Sequence, residues 1–288
     1  MIAELEGSAA NQSSSLPPLG HYPESMVPAL PSTEEARQGE FRSKVYFHDI
    51  IGNAHIKQAL FEHCVLPMKH QSLHHILQGI RHSIGNILLH GPPGTGKTLL
   101  AQAVANECQA DLFVMNPSDI LSKYQGESER YVRDAFQKAR DRPKAVLFFD
   151  EFDAIAMTRN RSNIDEGNSR RLLSELLIQL SLNRQLQSQA IHDETKDEFP
   201  QQHRVCVIAA TNRIIDLDDA ILRRFECKLC VDTPSLEERV QLIRKFLSGI
   251  SLDITPNEID SIANRIDVCY RTYSRIQMIV GSVGLDRV

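Results

Sequence analysis

The chain has 288 residues, 42% of them hydrophobic, and a formal net charge of −5. That length and composition allow one sizeable core and a smaller second one, and the mild acidity excludes a general attraction to nucleic acid or anionic membrane. No stretch approaches the roughly 18 unbroken apolar residues of a membrane helix, residues 1–20 lack a leader's features, and six scattered cysteines make no disulfide framework, so the expectation is a soluble, cytoplasmic protein with reduced thiols.

In chain order, residues 1–43 are rich in Ser, Pro, Gln and Glu, with Pro17, Pro18, Pro23, Pro28 and Pro31 breaking any period, and read as a disordered arm. Order is expected from near Val45. Phe47 to Gly52 reads as a turn, and Asn53 to Val65 as an amphipathic helix with Ile56, Leu60 and Cys64 at a spacing of four. The histidines between His63 and His82 include His70 and His74 at helical spacing. Lacking a partnering acid, they read as solvent-facing.

An apolar strand at Ile87–Leu89 then runs into Gly91-Pro92-Pro93-Gly94-Thr95-Gly96-Lys97-Thr98, and a helix follows from Thr98 and Leu99. Two glycines with four residues between them, then Lys and Thr, set between a strand and a helix, make a phosphate cradle. Backbone N–H groups and the positive helix end face the phosphates, Lys97 adds a point charge, and the Thr98 hydroxyl reaches magnesium. A plain Gly/Pro turn is the competing reading, and both flanks argue against it.

A strand at 111–115 and a charged amphipathic helix at 128–140 come next, with Lys123, Tyr124 and Gly126 in the loop between them. Ala145 to Phe149 is an unbroken apolar run of the kind that a parallel strand buried on both faces needs, and it ends in Asp150 and Glu151. Ligands of open α/β sheets sit at the carboxyl ends of strands, so the two acids are placed to meet the cradle's nucleotide. A polar segment with Arg159 and Arg161 precedes a helix from Ser169 to Gln185, and 183–204 shows no period and reads as a surface insertion. Val205 to Ala210 is another buried strand, ending in Thr211 and Asn212; a short helix from Asp218 ends at Arg223 and Arg224. Cys227 and Cys230 have the spacing of a metal pair, but on an alternating strand they point to opposite faces. Beyond Pro234 only helical periods remain, near 236–248, 256–266 and 273–281, which marks a domain boundary.

These pieces resemble the AAA ATPases over residues 44 to about 285. GPPGTGKT is similar to the family's Walker A, Val146–Asp153 to its Walker B, Ala209–Asn212 to its sensor 1, and Ile221–Phe225 to its arginine-finger segment. Ser122–Glu129, Ser169–Leu177 and the Arg-Arg-Phe at 223–225 resemble the clade of katanin, spastin, fidgetin and the ATPase that dismantles ESCRT filaments. The resemblance implies an α/β P-loop fold, a parallel sheet flanked by helices at 44–233, followed by a small all-α lid at 234–288 that is cut short relative to the clade. It implies ATP and Mg2+ as cofactors and a ring hexamer of identical chains threading protein through its centre.

Carried over by position, Lys97 binds the β- and γ-phosphates, Thr98 and Asp150 hold magnesium, Glu151 polarises water, Asn212 positions it, and Arg223 and Arg224 reach a neighbour's nucleotide. Asp49, Ile51 and Gly52 match the segment on the adenine side. Lys123, Tyr124 and Gly126 match a substrate-gripping pore loop, and Arg159 and Arg161 a second one, which together suit acidic, extended polypeptide such as tubulin tails, and so microtubule severing. The arm cannot build an adaptor bundle and the substrate is unreadable. Two other readings are an ATP-binding regulatory subunit with little hydrolysis, against which the intact Glu151 and arginines argue, and a clamp-loader-like machine acting on nucleic acid, for which no basic patch is present.

Overall fold

The computed structural model describes residues 45–69, 85–121, 126–156, 166–192, 204–247 and 255–265. A 3-10 turn at Phe47–Asp49 leads to α1 (Ala54–Leu60), which runs through a π-helical turn (Phe61–Val65) into α2 (Leu66–Lys69). Then follow β1 (Ile87–His90), α3 (Lys97–Cys108), β2 (Asp111–Met115), α4 (Pro117–Leu121), α5 (Glu127–Arg140), β3 (Lys144–Phe149), α6 (Phe152–Ala156) and α7 (Glu166–His192). β4 (Arg204–Thr211), a 3-10 turn (Ile214–Asp216), α8 (Asp219–Leu222), β5 (Cys227–Cys230), α9 (Leu236–Leu247) and α10 (Pro256–Arg265) complete the described elements.

The five strands form one parallel sheet in the order β2-β3-β4-β1-β5. Strand period two divides the apolar runs between its faces. Val146 and Phe148 of β3 join a core with Cys206, Ile208 and Ala210 of β4, closed by α1 and α3. Ala145, Leu147 and Phe149 point the other way, with Val205, Val207 and Ala209, under α5, α6 and α7. Every residue of β3 after Lys144 is buried, so a charge anywhere along that run would lose its hydration.

A third, smaller core lies between α9 and α10, built from Leu242, Ile243, Ile259 and Ala263, and Ile51 packs into it from the other end of the sequence. The expected strands and helices that fall among the described residues lie close to where the sequence places them, while α4 forms in a stretch expected as loop and α6 was not expected. One expected boundary also differs. The stretch expected to leave the helix after Gln185 as an insertion remains helical to His192. Asn183 is only 2% exposed. It donates to Asn86 Oδ1 at 3.2 Å and to the Val205 carbonyl at 3.3 Å, and Gln187 one turn on donates to the same carbonyl. Polar side chains that serve buried hydrogen bonds look, in a sequence, like polar side chains that serve water.

Cys227 packs against the first core, whereas Cys230 is exposed and donates to Asp232 Oδ1 at 3.3 Å. The two thiols therefore diverge as a strand requires. His63 is exposed; His70, His74, the 1–43 arm and the 273–281 helix lie outside the described residues.

Candidate nucleotide site

The loop Gly91–Gly96 leaves the carboxyl end of β1, and its backbone needs glycine. Gly91, Gly94 and Gly96 all have positive φ, and a Cβ on Gly91 would lie 2.2 Å from the Val231 carbonyl oxygen. The first of these glycines is thus fixed by the neighbouring strand's end, not only by the turn. Thr95 closes the loop by donating to the Pro92 carbonyl at 3.0 Å. Pro93 and Leu99 are half-buried alongside, and Gly96 caps α3, the only described helix to rise straight from a glycine-rich loop.

Lys97 is 7% exposed and folds back over the loop, donating to the carbonyls of Gly91 at 2.9 Å and Pro92 at 2.7 Å. Burial brings its ammonium down to about 8, against the pull of Asp150 and Asp153, which favour the charge. The Thr98 hydroxyl donates to Asp150 Oδ2 at 2.9 Å, joining α3 to the end of β3. These donors and acceptors fit a nucleoside triphosphate with magnesium. The cradle admits no side chain at Gly91, a cation sits within it on backbone carbonyls alone, and a hydroxyl and a carboxylate lie together as hard oxygen ligands do.

Glu151 follows in the left-handed region at φ 44°, its N–H donating to Asp150 Oδ1 at 2.9 Å and its side chain exposed. Left-handed backbone is costly for any residue with a Cβ. Asn212, exposed, stands one residue beyond the end of β4, the strand between β1 and β3. The ends of three adjacent strands therefore bring Lys97, Thr98, Asp150, Glu151 and Asn212 to one edge of the sheet.

Sequence reasoning gave no role to Asp153. Its Oδ1 accepts the Thr211 hydroxyl at 2.9 Å and the Asn212 N–H at 3.4 Å. Asp153 thereby ties the end of β4 to the acids that follow β3, and its charge, half-buried near Lys97, adds to the negative field there. A third acid in the run Asp150-Glu151-Phe152-Asp153 was the available signal, one helical turn from the first.

Arg223 and Arg224 lie elsewhere. Arg223 caps the C-terminus of α8 and is exposed. The Arg224 carbonyl accepts from Asn86 Nδ2 at 3.0 Å, and the Asn86 carbonyl accepts the Glu226 N–H at 3.0 Å. Asn86 and Glu226 immediately precede β1 and β5, so the arginine pair is anchored at the amino edge of the sheet, a strand's length from Lys97. Phe225 is buried and stacks edge-on against Phe152, centroids 5.6 Å apart.

Asp49, Ile51 and Gly52 fall together on α9. Lys245 donates to the Asp49 carbonyl and lies 3.5 Å from Asp49 Oδ1. Hydrogen bonding from the Tyr46 N–H holds the Asp49 carboxyl below its ordinary range, opposed by desolvation and helped by His48 and Lys245. Gly126 has φ 85° at the start of α5, while Lys123, Tyr124, Arg159 and Arg161 lie outside the described residues.

A family model for the AAA domain, "ATPase family associated with various cellular activities", matches residues 87–233, from the first residue of β1 to just beyond β5. The chain belongs to the AAA ATPase family. Its relatives lie in the meiotic and severing clade. It is 33% identical over 251 residues to fidgetin-like protein 1 of Caenorhabditis elegans, an overlap of 87% of this chain and 38% of the relative. It is 37% identical over 222 residues to spastin of Dictyostelium discoideum, 77% of this chain and 31% of the relative. It is 37% identical over 201 residues to the meiotic spindle formation protein mei-1 of Caenorhabditis elegans, 70% of this chain and 39% of the relative. The AAA chain thus spans between about a third and two-fifths of the length of these relatives. Membership makes ATP the expected nucleotide of the cradle. Among the described residues, no helix is long and apolar enough to cross a membrane.

Proposed function

We propose that this AAA chain hydrolyses ATP and uses the energy to remodel protein assemblies, as a ring of its own copies. The observation that carries the reading is the division of the charged groups between the two edges of the sheet. The phosphate cradle, Thr98, Asp150 and Glu151 share the carboxyl edge, and Arg223 and Arg224 are anchored at the amino edge by Asn86. Arginines so placed cannot serve their own nucleotide, but they suit the site of an adjacent copy. Residues 44–233 act as the nucleotide domain and 234–288 as a helical lid.

In this reading Gly91, Pro92, Pro93, Gly94, Thr95, Gly96 and Leu99 shape the cradle, and Lys97 turns from the loop carbonyls to the phosphates. Thr98 and Asp150 would hold Mg2+, which would supply positive charge to the phosphates. Glu151 polarises the attacking water, Asn212 orients it, and Asp49, Ile51 and Gly52 border the base. Phosphoryl transfer is mostly positioning and charge stabilisation, so arginines supplied by the neighbour raise turnover by about 10³–10⁵. Lys123, Tyr124, Gly126, Arg159 and Arg161 line a central channel that takes acidic, extended polypeptide. The spindle in the name of mei-1 makes microtubules, in the cytoplasm, the first substrate to try.

The test is ATP turnover per subunit across a range of protein concentrations, with Glu151→Gln and Arg223→Ala/Arg224→Ala proteins alongside. Turnover that rises with concentration and is lost in both variants is the expected result. Flat, near-zero turnover with measurable ATP binding overturns it in favour of a regulatory nucleotide-binding subunit. Tyr124→Ala should abolish remodelling while leaving ATP hydrolysis in place; intact remodelling would remove the pore assignment.

A further inference from the structure

We infer that Glu238, on the first turn of α9, is a positioning residue that clasps the lid to the base-side turn and thereby sets the affinity for nucleotide. Glu238 is the fourth residue of Ser235-Leu236-Glu237-Glu238, a capping box: its N–H donates to Ser235 Oγ at 3.3 Å, and its Oε2 accepts the Ser235 N–H at 2.7 Å. A capping glutamate ordinarily ends its work there. In this protein the other oxygen, Oε1, accepts the N–H of Asn53 at 3.3 Å, from a residue 185 positions earlier in the chain.

The surroundings are built for that carboxylate. Gly52 and Asn53 are successive left-handed residues, at φ 78° and 53°. A Cβ on Gly52 would come within 2.5 Å of Glu238 Oε1, so the turn closes directly upon it. Lys57, desolvated and drawn toward Glu238 electrostatically, donates to the Ile50 carbonyl at 2.9 Å. One carboxylate therefore faces a helix start in the lid, a strained turn, and the lysine that holds the near side of that turn. Ile51, between these contacts, is packed into the core of α9 and α10. The base-side turn thus takes its shape as much from the lid as from the nucleotide domain, and Glu238 supplies the polar part of that grip.

This inference rests on the proposed nucleotide reading, which makes Asp49, Ile51 and Gly52 the border of the base. The experiment is equilibrium titration of the full chain with a fluorescent ATP analogue, together with hydrogen exchange at the Asn53 amide in nucleotide-free protein. Glu238→Ala should weaken ATP binding by about tenfold, the scale of one lost hydrogen bond to a charged group, and speed exchange at Asn53. Glu238→Gln, which keeps an acceptor oxygen, should restore most of both. Ser235→Ala removes the same helix cap but leaves Oε1 on Asn53, and should change neither affinity nor Asn53 exchange. Unchanged affinity in Glu238→Ala, or equal weakening in Ser235→Ala, overturns the inference and leaves Glu238 a helix cap. Wild-type protein that binds no ATP overturns the proposed function itself, and the nucleotide role of Glu238 with it.

Discussion

Asp153 Oδ1 accepts from the Thr211 hydroxyl and from the N–H of Asn212, the residue proposed to orient the attacking water. Removing it leaves both donors without that acceptor while the cradle stays whole. Asp153→Ala should lower kcat roughly tenfold with KM within about twofold, because misplacement of a positioning group costs rate more than binding. Asp153→Asn retains an acceptor and should recover most of kcat; steady-state kinetics on the two variants checks this. Gly91→Ala is a different kind of lesion. Its Cβ would be driven into the Val231 carbonyl, so the loop or β5 must shift, and thermal denaturation should show a loss of about 3 kcal/mol or more along with lost ATP binding. The cradle's glycines and lysine were legible in the sequence because their spacing alone encodes the loop. Asp153 was not, because its work is defined by a strand about sixty residues later.

The elements themselves were largely legible. Unbroken apolar runs identify strands covered on both faces, and β1, β2, β3 and β4 begin and end within a residue or so of where such runs do. The exception, α7, shows where pattern reading fails. Its last three turns carry Asn183 and Gln187, whose amides satisfy Asn86 and the Val205 carbonyl inside the protein. Hydropathy cannot tell a buried, satisfied amide from a solvated one. Asn183→Ala should therefore behave as a core substitution, costing about 1–3 kcal/mol in urea denaturation, since Asn86 Oδ1 loses its donor. A surface position would move by less than about 0.5 kcal/mol. The same helix holds Glu175, 8% exposed, whose carboxyl is kept below its ordinary range chiefly by Arg133, at 2.9–3.1 Å, against the cost of burial. The sign follows from linkage. Its stabilisation is complete above the unfolded carboxyl's titration and disappears as pH falls through the lower folded value, so Glu175→Gln should flatten the acid limb of the melting curve.

At the scale of the whole molecule, the amino and carboxyl edges of one sheet carry different charged groups, and the helices α9 and α10 are tied to the turn at 49–53. Ile51 contributes to a core whose buried members, among the described residues, are four side chains of α9 and α10. In so small a core one aliphatic side chain is a large share. Ile51→Ala should raise the rate of limited proteolysis within 236–265 while cleavage in the sheet domain stays at the wild-type rate, a separation that gel analysis of the fragments would show. This tie was invisible in the sequence, since nothing in the period of α9 says what its buried face meets. A last consequence concerns Glu151, whose backbone sits at φ 44°. Glycine there would relieve about 1 kcal/mol of strain and remove the carboxylate in the same stroke. If Glu151 polarises water as proposed, a laboratory selection for heat resistance alone would then drift toward glycine at 151 and collect inert proteins, which sets durability against turnover at a single peptide unit.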